Sequence, residues 1–164
     1  MFATKTIDTG DKAEFYRELA SQLGGLLHDE RDFIANAANL SALVFDLVPD
    51  LNWAGVYFLR ANDELVLGPF QGKVACVRIP VGKGVCGSAV AQKETMLVPD
   101  VHAFPGHIAC DAASRSELVV PLIKDGKVLG VLDLDSPTPE RFDETDQAGF
   151  EALAAIYLAA SDFA

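Results

Sequence analysis

Basic residues are scarce in this chain. Its 164 residues carry 13 Lys plus Arg against 24 Asp plus Glu, a formal charge of −11. An acidic surface repels phosphate backbones and anionic lipid, so neither a nucleic-acid nor a membrane partner is expected. No apolar run is long enough for a membrane span or a signal sequence, and the opening Met1-Phe2-Ala3-Thr4-Lys5-Thr6 leads straight to Asp8 and Asp11. A cytoplasmic location is the expectation. Cysteines number only three, Cys76, Cys86 and Cys110, widely spaced and odd in count. That excludes a secreted disulfide scaffold and leaves reduced, reactive or simply buried thiols. Internal repeats and low-complexity tails are also missing. Half of the residues are hydrophobic, enough for one ordinary core, and a single domain over 1–164 is expected.

Apolar spacing predicts two N-terminal helices within about 11–48, the first over 11–24 and stopped by Gly24-Gly25, the second over 30–48 and stopped by Pro49. Short alternating runs then predict a meander of Trp53 to Leu59, Glu64 to Phe70 and Val74 to Ile79, within a sheet-and-loop region of about 52–135. A glycine-rich turn, 81–87, leads into a short helix over 88–93. Two clear strands, Glu117 to Ile123 and Lys127 to Asp135, flank Lys124-Asp125-Gly126, and a last helix covers about 144–160. Between Pro99 and Ser116 lies an irregular stretch, longer than a usual connection, that holds His102, His107 and Cys110.

Each polar candidate has a bland reading beside a chemical one. Cys110 is a nucleophile if its thiolate is favoured, or a buried filler if not; Asp111 beside it opposes the thiolate unless its side chain turns away. Cys76, in a strand-like run, and Cys86, in the glycine-rich turn, are alternative partners for an oxidised Cys110, or small apolar filling. His102, His107 and Cys110, with Cys76 or Cys86 as a fourth donor, weakly suggest zinc, but no paired C-x2-C accompanies them, and no metal or other cofactor is expected. Gly82-x-Gly84-x-x-Gly87 imitates part of a nucleotide fingerprint without its strand-glycine-helix setting. Trp53 and Tyr57 offer a flat pocket wall or ordinary sheet packing.

Glu117, Asp133 and Asp135 sit among Leu, Val and Ile, where a carboxylate must be solvated, paired or used. Asp133 and Asp135 share a face. A two-residue Asp125-Gly126 turn alone would oppose Glu117 to Leu134 and send it to the other face, whereas a three-residue Lys124-Asp125-Gly126 turn with a glycine bulge opposes Glu117 to Asp133. The bulged turn is expected.

IPVGKGVCG at 79–87, HIACDAASRSELVVP at 107–121 and GVLDLDSP at 130–137 together resemble the free methionine-(R)-sulfoxide reductases of the GAF-domain type, over nearly the whole chain. The resemblance implies an α+β, GAF-like fold with a central antiparallel sheet of about six strands flanked by helices. It also implies thiol-dependent reduction of free methionine-(R)-sulfoxide, with Cys110 attacking sulfur, Cys76 forming the resolving disulfide and Cys86 auxiliary. Glu117, Asp133 and Asp135 match the substrate-binding carboxylates, and Trp53 falls at the aromatic wall. Thioredoxin is the implied reductant, and homodimers are common in such proteins. The alternative is a noncatalytic GAF sensor of a small molecule, which calls for an attached effector.

Overall fold

The computed structural model describes residues 1–108 and 111–163. Its helices are α1 (Lys12–Leu26), α2 (Phe33–Leu47), α3 (Gly84–Gln92) and α4 (Glu144–Ala160). The strands are β1 (Trp53–Arg60), β2 (Glu64–Gly72), β3 (Arg78–Pro80), β4 (Met96–Val98), β5 (Ser116–Lys124) and β6 (Lys127–Ser136). They form one antiparallel sheet in the order β3-β2-β1-β6-β5-β4. The fold is α+β, as expected.

Alternation along the central strands divides the apolar residues between two faces. Ala54, Val56, Phe58, Leu118, Val120, Leu132 and Leu134 pack under α1, α2 and α4. Trp53, Tyr57, Val119 and Val131 point the other way, toward α3. Aspartates start three of the helices, Asp11, Asp32 and Asp143 each accepting two backbone N–H bonds. Asp146 completes a capping box with Asp143 and is itself fully buried. It accepts from Tyr16 Oη, from Lys12 Nζ at 2.6 Å and from Arg141 Nη1 at 3.3 Å, tying α1 to α4. Asp146→Ala leaves those donors without their acceptor and is expected to cost about 3 kcal/mol, seen as a lower urea midpoint at unchanged m value.

Several elements depart from the sequence expectation. Helix α1 runs through Gly24-Gly25 to Leu26, because Leu23 and Leu27 are buried in the core and outweigh a glycine penalty of about 1 kcal/mol each. Residues 73–77 are a loop and only Arg78–Pro80 is strand, so Cys76 lies on a loop; the exposed Val74 and Val77 bury nothing that would hold an edge strand. Helix α3 begins at Gly84, four residues before the expected start, and so carries Cys86. Gly87 allows this close start, since a Cβ there would lie 2.5 Å from Pro80 O. The three-residue β4 is too short to leave a periodic signal.

The hairpin is the most instructive departure. Lys124 pairs with Lys127, so the turn is the two-residue Asp125-Gly126, with φ of 53° and 77° as a type I′ turn requires. The register then shifts between Leu122 and Ile123: Ile123 opposes Val128, but Leu122 opposes Gly130, leaving Leu129 unpaired as a bulge. Glu117 therefore opposes Asp135, not Asp133. The expected turn was wrong, yet the bulge returns Glu117 to the face of Asp133 and Asp135. Gly130 beside the bulge admits no side chain, because a Cβ there would collide with Tyr57 O of β1.

Candidate active site

Registers on either side of β6 align Trp53 of β1, Asp135 of β6 and Glu117 of β5 in one row across three strands. The next row on that face is Gly55, Asp133 and Val119. Helix α3 crosses above and brings Cys86 down, so that ligand atoms of Cys86, Glu117 and Asp133 lie within 4.8 Å of one another, all three residues buried. Trp53 and Tyr57 stack at 5.9 Å to form a flat wall, and Phe70 stacks on the other side of Trp53. The cavity between wall and carboxyl floor is also lined by Val74, Ala75, His107 and Ile108. Trp53, Cys86, Glu117, Asp133 and Asp135 thus line one cavity. Cys110 lies outside the described residues, although Ile108 and Asp111 on either side of it line the same space. Cys76 is half-buried on the 73–77 loop.

Electrostatics follow from burial without a counterion. None of the ion pairs among the described residues includes Glu117, Asp133 or Asp135. Burial, then the charges of Asp133 and Asp135, push the Glu117 carboxyl well above the usual range. Burial and Asp133 do the same to Asp135. Burial also raises Asp133, against the pull of hydrogen bonds from Glu117 and Cys86. The three carboxyls therefore hold their protons more tightly than exposed carboxyls do, and they titrate as one unit. Asp133 Oδ1 is buried with no hydrogen-bond donor among the described residues. It can accept from a donor such as an ammonium group.

The Cys86 thiol is pushed well above its ordinary pKa, first by burial and then by the carboxylates, which marks it as a hydrogen-bond donor to Asp133 and not a thiolate. Burial lowers His107, with His102 adding to the effect, so His107 favours the neutral imidazole. Among the described residues, the group with the spacing to hold a cation is Cys86, Glu117 and Asp133; the two histidines lie apart from it, His102 exposed on the turn at Val101–Ala103 and His107 at the rim.

One residue passed over in the sequence is Asn52. Its Nδ2 donates to Asp111 Oδ2 at 3.0 Å and Ser114 Oγ at 3.1 Å, while its backbone N–H donates to Asp135 O at 2.9 Å. It ties the carboxylate strand to the segment following Cys110. Asp111, which also accepts from Ala113 N, is thereby turned toward Asn52 and its own turn. A lone Asn before a strand carries no periodic signal of this.

A six-stranded antiparallel sheet with helices on one face and a loop-rimmed cavity on the other defines the GAF class. The chain belongs to the GAF domain family, whose model matches residues 35–160. Within that family it groups with the free methionine-R-sulfoxide reductases. It is 52% identical over 145 residues to the Escherichia coli free methionine-R-sulfoxide reductase, covering 88% of this chain and 87% of the relative. It is 57% identical over 140 residues to the Bacillus subtilis Protein YtsP, covering 85% and 86%. The X-ray structure of free methionine-R-sulfoxide reductase from Neisseria meningitidis in complex with its substrate matches with a TM-score of 0.93 at 46% identity, covering 98% of this chain and 95% of that one. The Escherichia coli and Neisseria meningitidis relatives are reductases, and the chain shares most of its length with them.

Proposed function

We propose that the protein reduces free methionine-(R)-sulfoxide to methionine. The observation that carries this reading is the carboxyl cluster, without an ion-pair partner among the described residues, facing an aromatic wall across one cavity. A free amino acid brings an ammonium group that supplies the missing counterion, and Asp133 Oδ1 is a ready acceptor for it. A sulfoxide sulfur becomes electrophilic as its oxygen gains a proton, and a carboxyl held neutral by its neighbours is the acid for that step. Glu117, raised by both aspartates, suits the donor role. Trp53 packs against the S-methyl end.

Cys110 then attacks sulfur to form an S–S bond; the substrate's S–O bond breaks as its oxygen, now a hydroxyl, passes to the Cys110 sulfur, and the S–S bond breaks to release methionine and leave Cys110 as a sulfenic acid. The Cys76 thiol condenses with it, releasing water and leaving a disulfide. A thioredoxin-type dithiol reduces that disulfide, and the exposed Val74 and Val77 leave the Cys76 loop open to a protein reductant. Cys86 serves as donor to Asp133. The R preference follows the names of the relatives. No helix among the described residues is long and apolar enough to cross a membrane. A cytoplasmic location suits a cycle that needs a dithiol reductant.

The test is turnover of the reduced protein on free methionine-(R)-sulfoxide, the S form and a peptide-bound form, with thioredoxin or dithiothreitol. Methionine is expected from the free R form alone. Binding of that form without any methionine release would overturn the reading in favour of a sensor.

A further inference from the structure

The 73–77 loop joins β2 to β3 and carries Cys76; Ala75 and Cys76 pack in part against the Trp53–Tyr57 cluster, while Val74 is 87% and Val77 58% exposed. Hydrogen bonds hold its backbone. Lys73 O accepts from Trp53 Nε1 at 3.1 Å, Cys76 O from Tyr57 Oη at 2.8 Å and Val77 O from Leu67 N at 2.9 Å. The two side-chain donors come from one face of β1, four residues apart; their rings are stacked on each other, and Trp53 is also stacked on Phe70. Tyr57 is only 2% exposed, so its ring cannot swing away without breaking that stack. Its hydroxyl is thus a fixed point on a rigid strand. The carbonyl it holds is bonded directly to the Cα of Cys76, the atom whose place decides whether the sulfur can reach a partner.

We propose that Tyr57 is a positioning residue for the resolving step, its hydroxyl setting where Cys76 meets the oxidised nucleophile. The inference rests on the thiol assignment made above. In the step itself the S–O bond of the Cys110 sulfenic acid breaks and an S–S bond to Cys76 forms. The hydroxyl leaves as water with the Cys76 proton, so no further oxidant or reductant is needed. A disulfide tolerates Cα separations of only about 4.4–6.8 Å, and an error of about 1 Å in placing reacting groups can cost about a hundredfold in rate. The Tyr57 hydrogen bond fixes the backbone at Cys76 itself, where that tolerance must be met.

Tyr57 also lines the cavity, so the experiment separates wall from clamp. Reduced Tyr57→Phe and wild-type protein are mixed with one equivalent of free methionine-(R)-sulfoxide without external reductant and quenched over time. Released methionine reports the first step, and the loss of alkylatable thiols by mass spectrometry reports the disulfide. Tyr57→Phe is expected to lower the ratio of disulfide formation to methionine release about tenfold or more, with a sulfenic acid that dimedone traps. Trp53→Phe, which frees only the Lys73 end of the loop, lowers the same ratio by less. A wall role would slow both steps in proportion, and unchanged ratios in both variants would overturn the proposal. Failure of the wild type to release methionine would instead remove the function on which it rests.

Discussion

Cys110→Ser is expected to abolish methionine formation, by at least about a thousandfold. A serine hydroxyl is a far weaker nucleophile than a thiolate at neutral pH, and the carboxyl-rich cavity offers no base poised to activate it. Cys76→Ser is expected to behave differently. It leaves the attack on sulfur intact, so one equivalent of methionine appears, but the sulfenic acid then has no resolving partner and turnover with thioredoxin is lost. Single-turnover chromatography of methionine beside a steady-state thioredoxin assay distinguishes the two. Cys86→Ser keeps a hydroxyl donor toward Asp133 and is expected to retain turnover, because burial pushes the Cys86 thiol up, away from the thiolate that exchange chemistry needs. Full activity in Cys110→Ser would reassign the nucleophile.

Glu117→Gln is expected to move activity and stability in opposite directions. As the proposed acid, Glu117 contributes about 10²- to 10³-fold to kcat/KM, the usual range for a positioned proton donor. Its folded-state pKa lies above the unfolded value, because burial and two neighbouring aspartates disfavour its charge. The folded form therefore binds its proton more tightly than the unfolded chain. That preference is fully expressed below the unfolded carboxylate pKa and fades as pH rises through the folded one, so the carboxyl cluster weakens the fold toward alkaline pH. Glutamine cannot ionise and also lifts a charge from beside Asp133 and Asp135. Thermal midpoints from pH 5 to 9 should fall for the wild type and fall less for Glu117→Gln, the variant being the more stable at pH 8. A parallel pair of curves would contradict the shared-proton account.

How far these residues were legible depended on the range of the interaction that places them. Period and caps revealed the helices and central strands, and α4 spans the expected residues because its Asp143 cap and apolar face agree. Asp133 and Asp135 on one face followed from strand geometry alone. The place of Glu117 did not, since it depends on a bulge at Leu129 that no local preference announces. The 73–77 run alternates like a strand but spends its carbonyls on Trp53 and Tyr57, partners distant in the chain. Cys86 appeared to sit in a turn because the glycines around it read as turn residues, whereas Gly87 is there for close approach to Pro80, a tertiary cause. Asn52 went unnoticed for the same reason: its partners lie some sixty positions away.

The unpaired Leu129 also sets how such a pocket is gained or lost over time. Point substitutions change one lining side chain at a time, but drawing Leu129 into the ladder as an ordinary paired residue would exchange inside for outside along the rest of β6. Asp133 and Asp135 would be pressed toward the three-helix core, and Leu132 and Leu134 would be offered to the cavity. Loss of the bulge is thus a larger step than any missense change in the site. Lineages that keep the acidic floor are tied to the bulge as firmly as to the identity of the acids that follow it.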